Sequence, residues 1–206
     1  MKKLILCVLS VLLTFNAPTV AENRVYEEPK KVIVYADFRS AYNRLRKYEG
    51  FYANHKDDLG KVTYAGITKK YNSNWYGWNY IDRYNLKPNE QVTGQDSLIV
   101  EFYVLDYYLD IWISEGFDKL KNQAIANYLF DMRVHMSRRQ TIKLLNKLYP
   151  TADLKMRKEW VDPILDKIDL QWLKNARLKY YDHLMKKNPK QNFWKKGWTK
   201  RANDLT

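Results

Sequence analysis

The stretch from Lys47 to Thr68 reads K-Y-E-G-F-Y-A-N-H-K-D-D-L-G-K-V-T-Y-A-G-I-T. It gathers Glu49, Asp57, Asp58, Thr63 and Thr68 around one turn, a density of polar chemistry found nowhere else in the chain. Upstream, Phe38, Ala41, Tyr42, Leu45 and Tyr48 recur at helical spacing, which predicts an amphipathic helix starting near Asp37, a good N-cap. Glu49 comes at the end of that pattern, and Gly50 is the expected C′ stop. Downstream, Asp57-Asp58-Leu59-Gly60 is a turn signal flanked by short β-prone runs ending at Val62-Thr63-Tyr64. The expected local structure is a helix followed by a small hairpin that folds polar groups back toward the helix end.

That arrangement suits one kind of chemistry. A carboxylate on a last helical turn faces the negative end of the helix dipole, which disfavours its ionised form, and aromatic neighbours that exclude water add to the effect. A carboxyl group that keeps its proton can act as a general acid at a glycosidic oxygen. The bland alternative is a helix end followed by a solvated acidic turn.

The order E-G-x-Y at Glu49, D-D-x-G at Asp57, and T-x-x-G-I-T at Thr63 resembles the glycoside hydrolase family 108 muramidases. The resemblance implies a mainly α, lysozyme-like fold, a helical bundle with a small β-hairpin beside the catalytic cleft. It also implies cleavage of the β-1,4 bond between N-acetylmuramic acid and N-acetylglucosamine in peptidoglycan. Glu49 takes the place of the family's acid, with Asp58 and Thr63 as the next two catalytic members. Tyr52, Asp57, Tyr64, Thr68 and His135 are the candidate substrate contacts. The family's second Gly is Phe51 here, and its D-D-P-G-G has become Asp57-Asp58-Leu59-Gly60-Lys61.

Two later segments carry the same resemblance. Phe130-Asp131-Met132-Arg133-Val134-His135 is similar to the family's F-D-x-x-V-N, with His135 in place of Asn and Ser137 in place of Gly. Arg177-Leu178-Lys179-Tyr180-Tyr181, followed by Phe193 and Gly197-Trp198-x-x-Arg201, is similar to its closing R-x-x-Y-Y … F-x-x-G-W-x-x-R. The resemblance therefore spans about residues 38 to 202. It divides the chain into a lysozyme-like catalytic lobe, residues 36–114, and a helical C-terminal lobe, residues 115–206, that family likeness describes as a peptidoglycan-binding region.

Ahead of these, Lys2-Lys3, an apolar run from Leu4 to Phe15 too short for a membrane span, and Thr19-Val20-Ala21 predict a signal peptide over residues 1–21. Residues 22–35 then read as a linker or loose arm. The expected location is the periplasm or the outside of the cell, with an uncleaved membrane tether as the alternative. Cleavage would remove Cys7, the sole cysteine. It would also take Lys2 and Lys3, lowering the formal charge from +13 to +11.

So basic a chain favours polyanions such as cell-wall polymers. Its Lys and Arg are scattered and no nucleic-acid motif accompanies them, so peptidoglycan strands are the expected partner and nucleic acid is not. With three His and no thiol after processing, neither a metal nor a cofactor is expected. The expected species is a monomer. A fold-retaining, inactive cell-wall-binding protein is the alternative function.

Helical patterns account for most of the remainder. Thr93 and Asp96 suggest a capping box before a stripe of Leu98, Phe102, Leu105, Leu109 and Trp112, ended by Gly116. The segment from about Asp118 to Met136 is apolar on more than one face and reads as the buried centre of a bundle. Helices are also expected over Ser137 to Tyr149 and over Leu170 to Lys187, with an Asp162-Pro163 start between them.

Overall fold

A computed structural model describes residues 33–54 and 62–204. The expected signal peptide, most of the arm, and the Asp57–Gly60 turn lie outside the described residues. Helix α1, Phe38–Arg46, begins where Asp37 accepts the Ser40 amide at 2.7 Å, and it buries Ala41, Tyr42 and Leu45. It ends one turn earlier than the sequence suggests. Lys47 is its C-cap, and Gly50 is not in a left-handed conformation, so Glu49 stands just past the helix with its amide on the Leu45 carbonyl.

Strands β1, Tyr52–Asn54, and β2, Val62–Tyr64, pair antiparallel as expected. A third strand, β3, Ile67–Thr68, joins them in the order β1-β2-β3. The sequence reading missed it. The β2–β3 link is the two residues Ala65 and Gly66, with φ of 48° and 77°, the double positive φ of a turn whose twist matches the strands it joins. Register sets Tyr52, Tyr64 and Ile67 on one face, with Tyr64 and Ile67 fully buried, and Ala53, Thr63 and Thr68 on the other.

The aromatic run beyond β3 forms a loop around one short helix, α2, Trp78–Ile81. Trp78 is buried and donates to the Asn72 carbonyl, so this loop plugs the core at Trp78 while Tyr76 stays exposed. Helix α3, Gly94–Glu115, stops at Gly116 in a left-handed conformation (φ 90°), as expected. Its start and its face both differ from expectation. The Thr93 side chain caps nothing, and Asp96 accepts the Tyr84 hydroxyl instead. The buried stripe is Val100, Val104, Tyr108, Ile111, Trp112 and Glu115, whereas Leu98 and Phe102 are 77% and 61% exposed.

A short 3-10 turn, Phe117–Lys119, leads to α4, Gln123–Met136, in which every residue from Ile125 to Met132 is buried. This is the central helix the sequence implied, and α1 packs along it. Around it follow α5, Arg138–Leu148, and α6, Leu170–Lys187. A last helix, α7, Lys195–Asp204, was not anticipated.

An aromatic hub ties the two halves together. Trp112 stacks on Phe117 with ring centroids 5.4 Å apart, and Phe130 sits edge-on to both. Phe38 of α1 and Trp160 complete the ring of contacts. Beside it the buried Glu115 carboxylate accepts from Arg133, Arg138 and the Trp160 indole. Burial alone would raise its pKa, but those donors outweigh it and hold the carboxyl below its ordinary value. The boundary drawn between residues 114 and 115 thus runs through packed core, and Ile33 onward clusters as one compact unit.

Candidate active site

Glu49 leaves α1 on a short segment whose backbone is held by Arg46. The Arg46 guanidinium donates to the Glu49 carbonyl at 2.6 Å and to the Glu101 carboxylate, which also accepts the Tyr42 hydroxyl. The Glu49 side chain then lies over the β2–β3 turn. A Cβ built on Gly66 would stand 2.3 Å from Glu49 Oε2 and 2.6 Å from the Tyr108 hydroxyl. Gly66 is therefore required twice, by its positive φ and by the carboxylate resting on it. Tyr108 is buried and donates to the Ala65 carbonyl at 2.7 Å, which pins the turn from below. Burial first, and the Glu49 charge second, push its phenol well above the ordinary value.

The other Glu49 oxygen belongs to an ionic network reaching the far end of the chain. Arg201 Nη2 donates to Glu49 Oε1 at 2.6 Å and to Asp131 Oδ1 at 2.6 Å, and Arg201 Nε also meets Asp131. Asp131 takes a second guanidinium, Arg177, on its other oxygen at 2.7 Å. These groups are nearly sealed: the side chains of Arg177, Asp131, Arg201 and Glu49 are 0%, 1%, 8% and 12% exposed. Burial would raise the Asp131 pKa, but Arg201 and Arg177 outweigh it and hold the carboxyl below its ordinary value. The converse holds for Arg201, where Asp131 and Glu49 overcome desolvation and fix the positive charge.

The network continues to His135. Arg177 Nε donates to the Tyr181 hydroxyl at 2.5 Å, which leaves that hydroxyl's proton free for His135 Nδ1 at 2.9 Å. A ring nitrogen that accepts is a neutral one. Burial, then the charges of Arg201 and Arg177, lower the His135 pKa to about 3. The ring is packed edge-on to Tyr181 and Trp198. His135 is therefore a partly buried member of this network, and its environment explains its place better than a substrate-facing role.

The remaining sequence candidates separate. Thr63 and Thr68 are direct cross-strand partners on the half-buried outer face of the sheet. Tyr52 is half-buried on β1, whose edge pairs with residues 89 and 90. Tyr64, a candidate substrate contact, is instead 4% exposed with its hydroxyl accepting the Val92 amide, so its side chain belongs to the core. Asp57 and Asp58 lie outside the described residues.

Two cavities border the site without including Glu49. One of about 350 Å³ is lined by Tyr71, Asn72, Trp75 and Tyr107, and Asn72 bonds the Thr68 carbonyl. A larger recess of about 580 Å³ is formed by Phe51 and the 84–93 loop. Among the described residues, no group of three His, Cys, Asp or Glu could hold a metal ion.

Sequence reasoning missed Asp131, Arg177, Tyr181 and Arg201 as site residues. Their signal was nevertheless present, because each lies in one of the two later motifs: Phe130-Asp131, Arg177-x-x-x-Tyr181 and Trp198-x-x-Arg201.

Comparison with known proteins bears on the fold and the family likeness. Residues 42–137 match the family model described as Glycosyl hydrolase 108. The solved structure of Brucella abortus SagA is similar in fold, with a TM-score of 0.53 and 20% sequence identity. The similarity covers 82% of this chain and 90% of that one. No curated protein sequence matches. The fold is mainly α with a small antiparallel sheet, the lysozyme-like arrangement that the sequence implied. Residues 42–137, which contain Glu49, Gly66 and Asp131, are thus similar to glycosyl hydrolase family 108.

Proposed function

We propose that this chain is a glycoside hydrolase, an N-acetylmuramidase that cleaves the β-1,4 bond between N-acetylmuramic acid and N-acetylglucosamine in peptidoglycan. The observation that carries the reading is the position of Glu49. Its carboxyl group is fixed at Oε1 by Arg201 and lies at Oε2 over the Gly66 turn beside the Tyr108 hydroxyl. With Oε1 engaged, Oε2 is the oxygen that carries the proton to the leaving group. Thr63 holds the attacking water on the opposite face of the sugar, and Asp58 orients that water or stabilises the developing positive charge. Tyr52, Asp57 and Thr68 contact the glycan. The protein works as an exported monomer, after loss of residues 1–21.

The test is Glu49→Gln on purified sacculi. Gln keeps the size and the Arg201 hydrogen bond but delivers no proton, and general acid catalysis is worth about 10²–10⁴-fold. Fragment release should fall by that factor while circular dichroism and sacculus binding stay as in the parent. A folded variant that cleaves like the parent removes Glu49 from the mechanism.

One observation favours a second reading, a wall-binding protein without turnover. Phe51, 39% exposed with Arg46 over its ring, stands beside the acid where the family has Gly. A parent protein that binds sacculi and releases no muropeptides would establish it.

A further inference from the structure

The corner where α6 runs into α7 carries charge and apolar surface that neither the core nor the Glu49 site uses. A 3-10 turn, Pro189–Trp194, joins the two helices, and its Phe193 and Trp194 are 80% and 50% exposed, packed edge-on with centroids 4.9 Å apart. Lys186 and Lys187 end α6, Lys190 lies in the turn, and Lys195, Lys196 and Lys200 follow on α7; all six are exposed. Residues 183–203 contain no Asp or Glu. On α7 the inward side is Trp198, Arg201 and Ala202, which puts Lys196 and Lys200 roughly opposite, toward solvent.

We infer that this corner docks on an anionic lipid bilayer, with Phe193 and Trp194 set into the headgroup region and the lysines on lipid phosphates. Three features select that occupant. An exposed Phe–Trp pair has an apolar payload that a hydrated glycan or duplex would leave in water, whereas Trp partitions to the membrane interface. The cations are all lysines, point charges suited to a diffuse anionic surface. Fork-shaped guanidiniums, favoured for specific phosphate and base recognition, are absent from the exposed set. The aromatic tip is flanked by cations on both sides, as in segments that lie in the interface plane. No helix among the described residues is long and apolar enough to cross a membrane, so the contact is one of surface association. The inference stands apart from the muramidase reading, and its test measures no cleavage.

The experiment is co-sedimentation of the full chain with vesicles of phosphatidylcholine alone, or with about one third phosphatidylglycerol, in about 0.1 M salt. Lys2-Lys3, the apolar run from Leu4 to Phe15 and the scattered charge elsewhere are the same in every variant, so the difference between variants isolates the corner. Binding to anionic vesicles should exceed binding to neutral ones by at least about tenfold and fade in about 1 M salt. Lys195→Gln with Lys196→Gln should weaken it about 25-fold, at about fivefold per lysine. Phe193→Ser with Trp194→Ser should weaken it at least about tenfold, with circular dichroism unchanged because both side chains are exposed. Equal binding to both vesicle types overturns the proposal, as does full binding by the Phe193/Trp194 variant. Retention on sacculi or duplex DNA lost through these same substitutions, with vesicles ignored, also overturns it.

Discussion

Arg201 and Glu49 are 152 positions apart in the chain and 2.6 Å apart in the fold. The same guanidinium reaches Asp131 on α4, so the final helix, the central helix and the segment after α1 meet at one buried cation.

Arg201→Gln removes that cation and leaves Glu49 without its countercharge. Breaking a buried pair on one side costs about 3–5 kcal/mol, so urea unfolding at pH 7 should show a loss of that order. Arg201→Lys keeps the charge but not the fork and should recover part of the loss. Parent-like stability in Arg201→Gln would mean that the network holds nothing together.

Gly66→Ala should separate the site from the fold. Its Cβ would intrude on Glu49 Oε2 and impose a positive φ on Ala. Backbone strain of this kind costs about 1–3 kcal/mol, while on the acid role proposed for Glu49 a displacement of about 1 Å costs about 10²-fold in rate. Thermal unfolding and sacculus digestion, run side by side, should show the rate loss exceeding what partial unfolding explains.

His135 makes the fold acid-sensitive. Its folded pKa of about 3 lies below the ordinary 6.5, so the unfolded chain binds its proton first as pH falls. The stability this neutral ring contributes is whole above pH 6.5 and is lost progressively down to about pH 3. Asp131 and Glu115 are lowered carboxyls, whose contributions fade only below their unfolded values of 3.8 and 4.5. Between pH 6.5 and 4.5 the loss assigned to His135 is therefore about 2–3 kcal/mol. Urea midpoints over that window should fall in the parent and stay nearly flat in His135→Gln.

Ser137→Gly should stabilise the protein. Ser137 sits at φ 75° and ψ 154° between α4 and α5, a conformation that glycine adopts without strain. Relief of about 1–3 kcal/mol is set against the greater freedom of unfolded Gly, about 0.4–1 kcal/mol. A weak cap bond to the Gln140 amide at 3.5 Å is also lost. A net gain of about 0.5–1 kcal/mol is expected, and an unchanged or lower urea midpoint would contradict it.

What could be read from the sequence was whatever is local. Asp37, Asp162 and Gly116 announced element ends through backbone chemistry confined to a few residues. Glu49 was recognisable because E-G-x-Y and T-x-x-G-I-T are contiguous. The face of α3 was misread because that helix is apolar nearly all round. Leu98 and Phe102 fit a stripe as well as Val100 and Val104 do, and only the packing partner decides between them. Tyr64 fitted either side of a strand until a third strand fixed which side was inward. Arg201 could be found as a motif residue but not as a site residue, since an ion pair across 152 positions leaves no periodicity.

That pairing also fixes an order in time. Translation makes Glu49 before Arg201, 152 positions earlier in the chain. During synthesis the Glu49 carboxyl therefore exists before the guanidinium that will hold it. A chain not yet extended to Arg201 thus carries Glu49 without its countercharge.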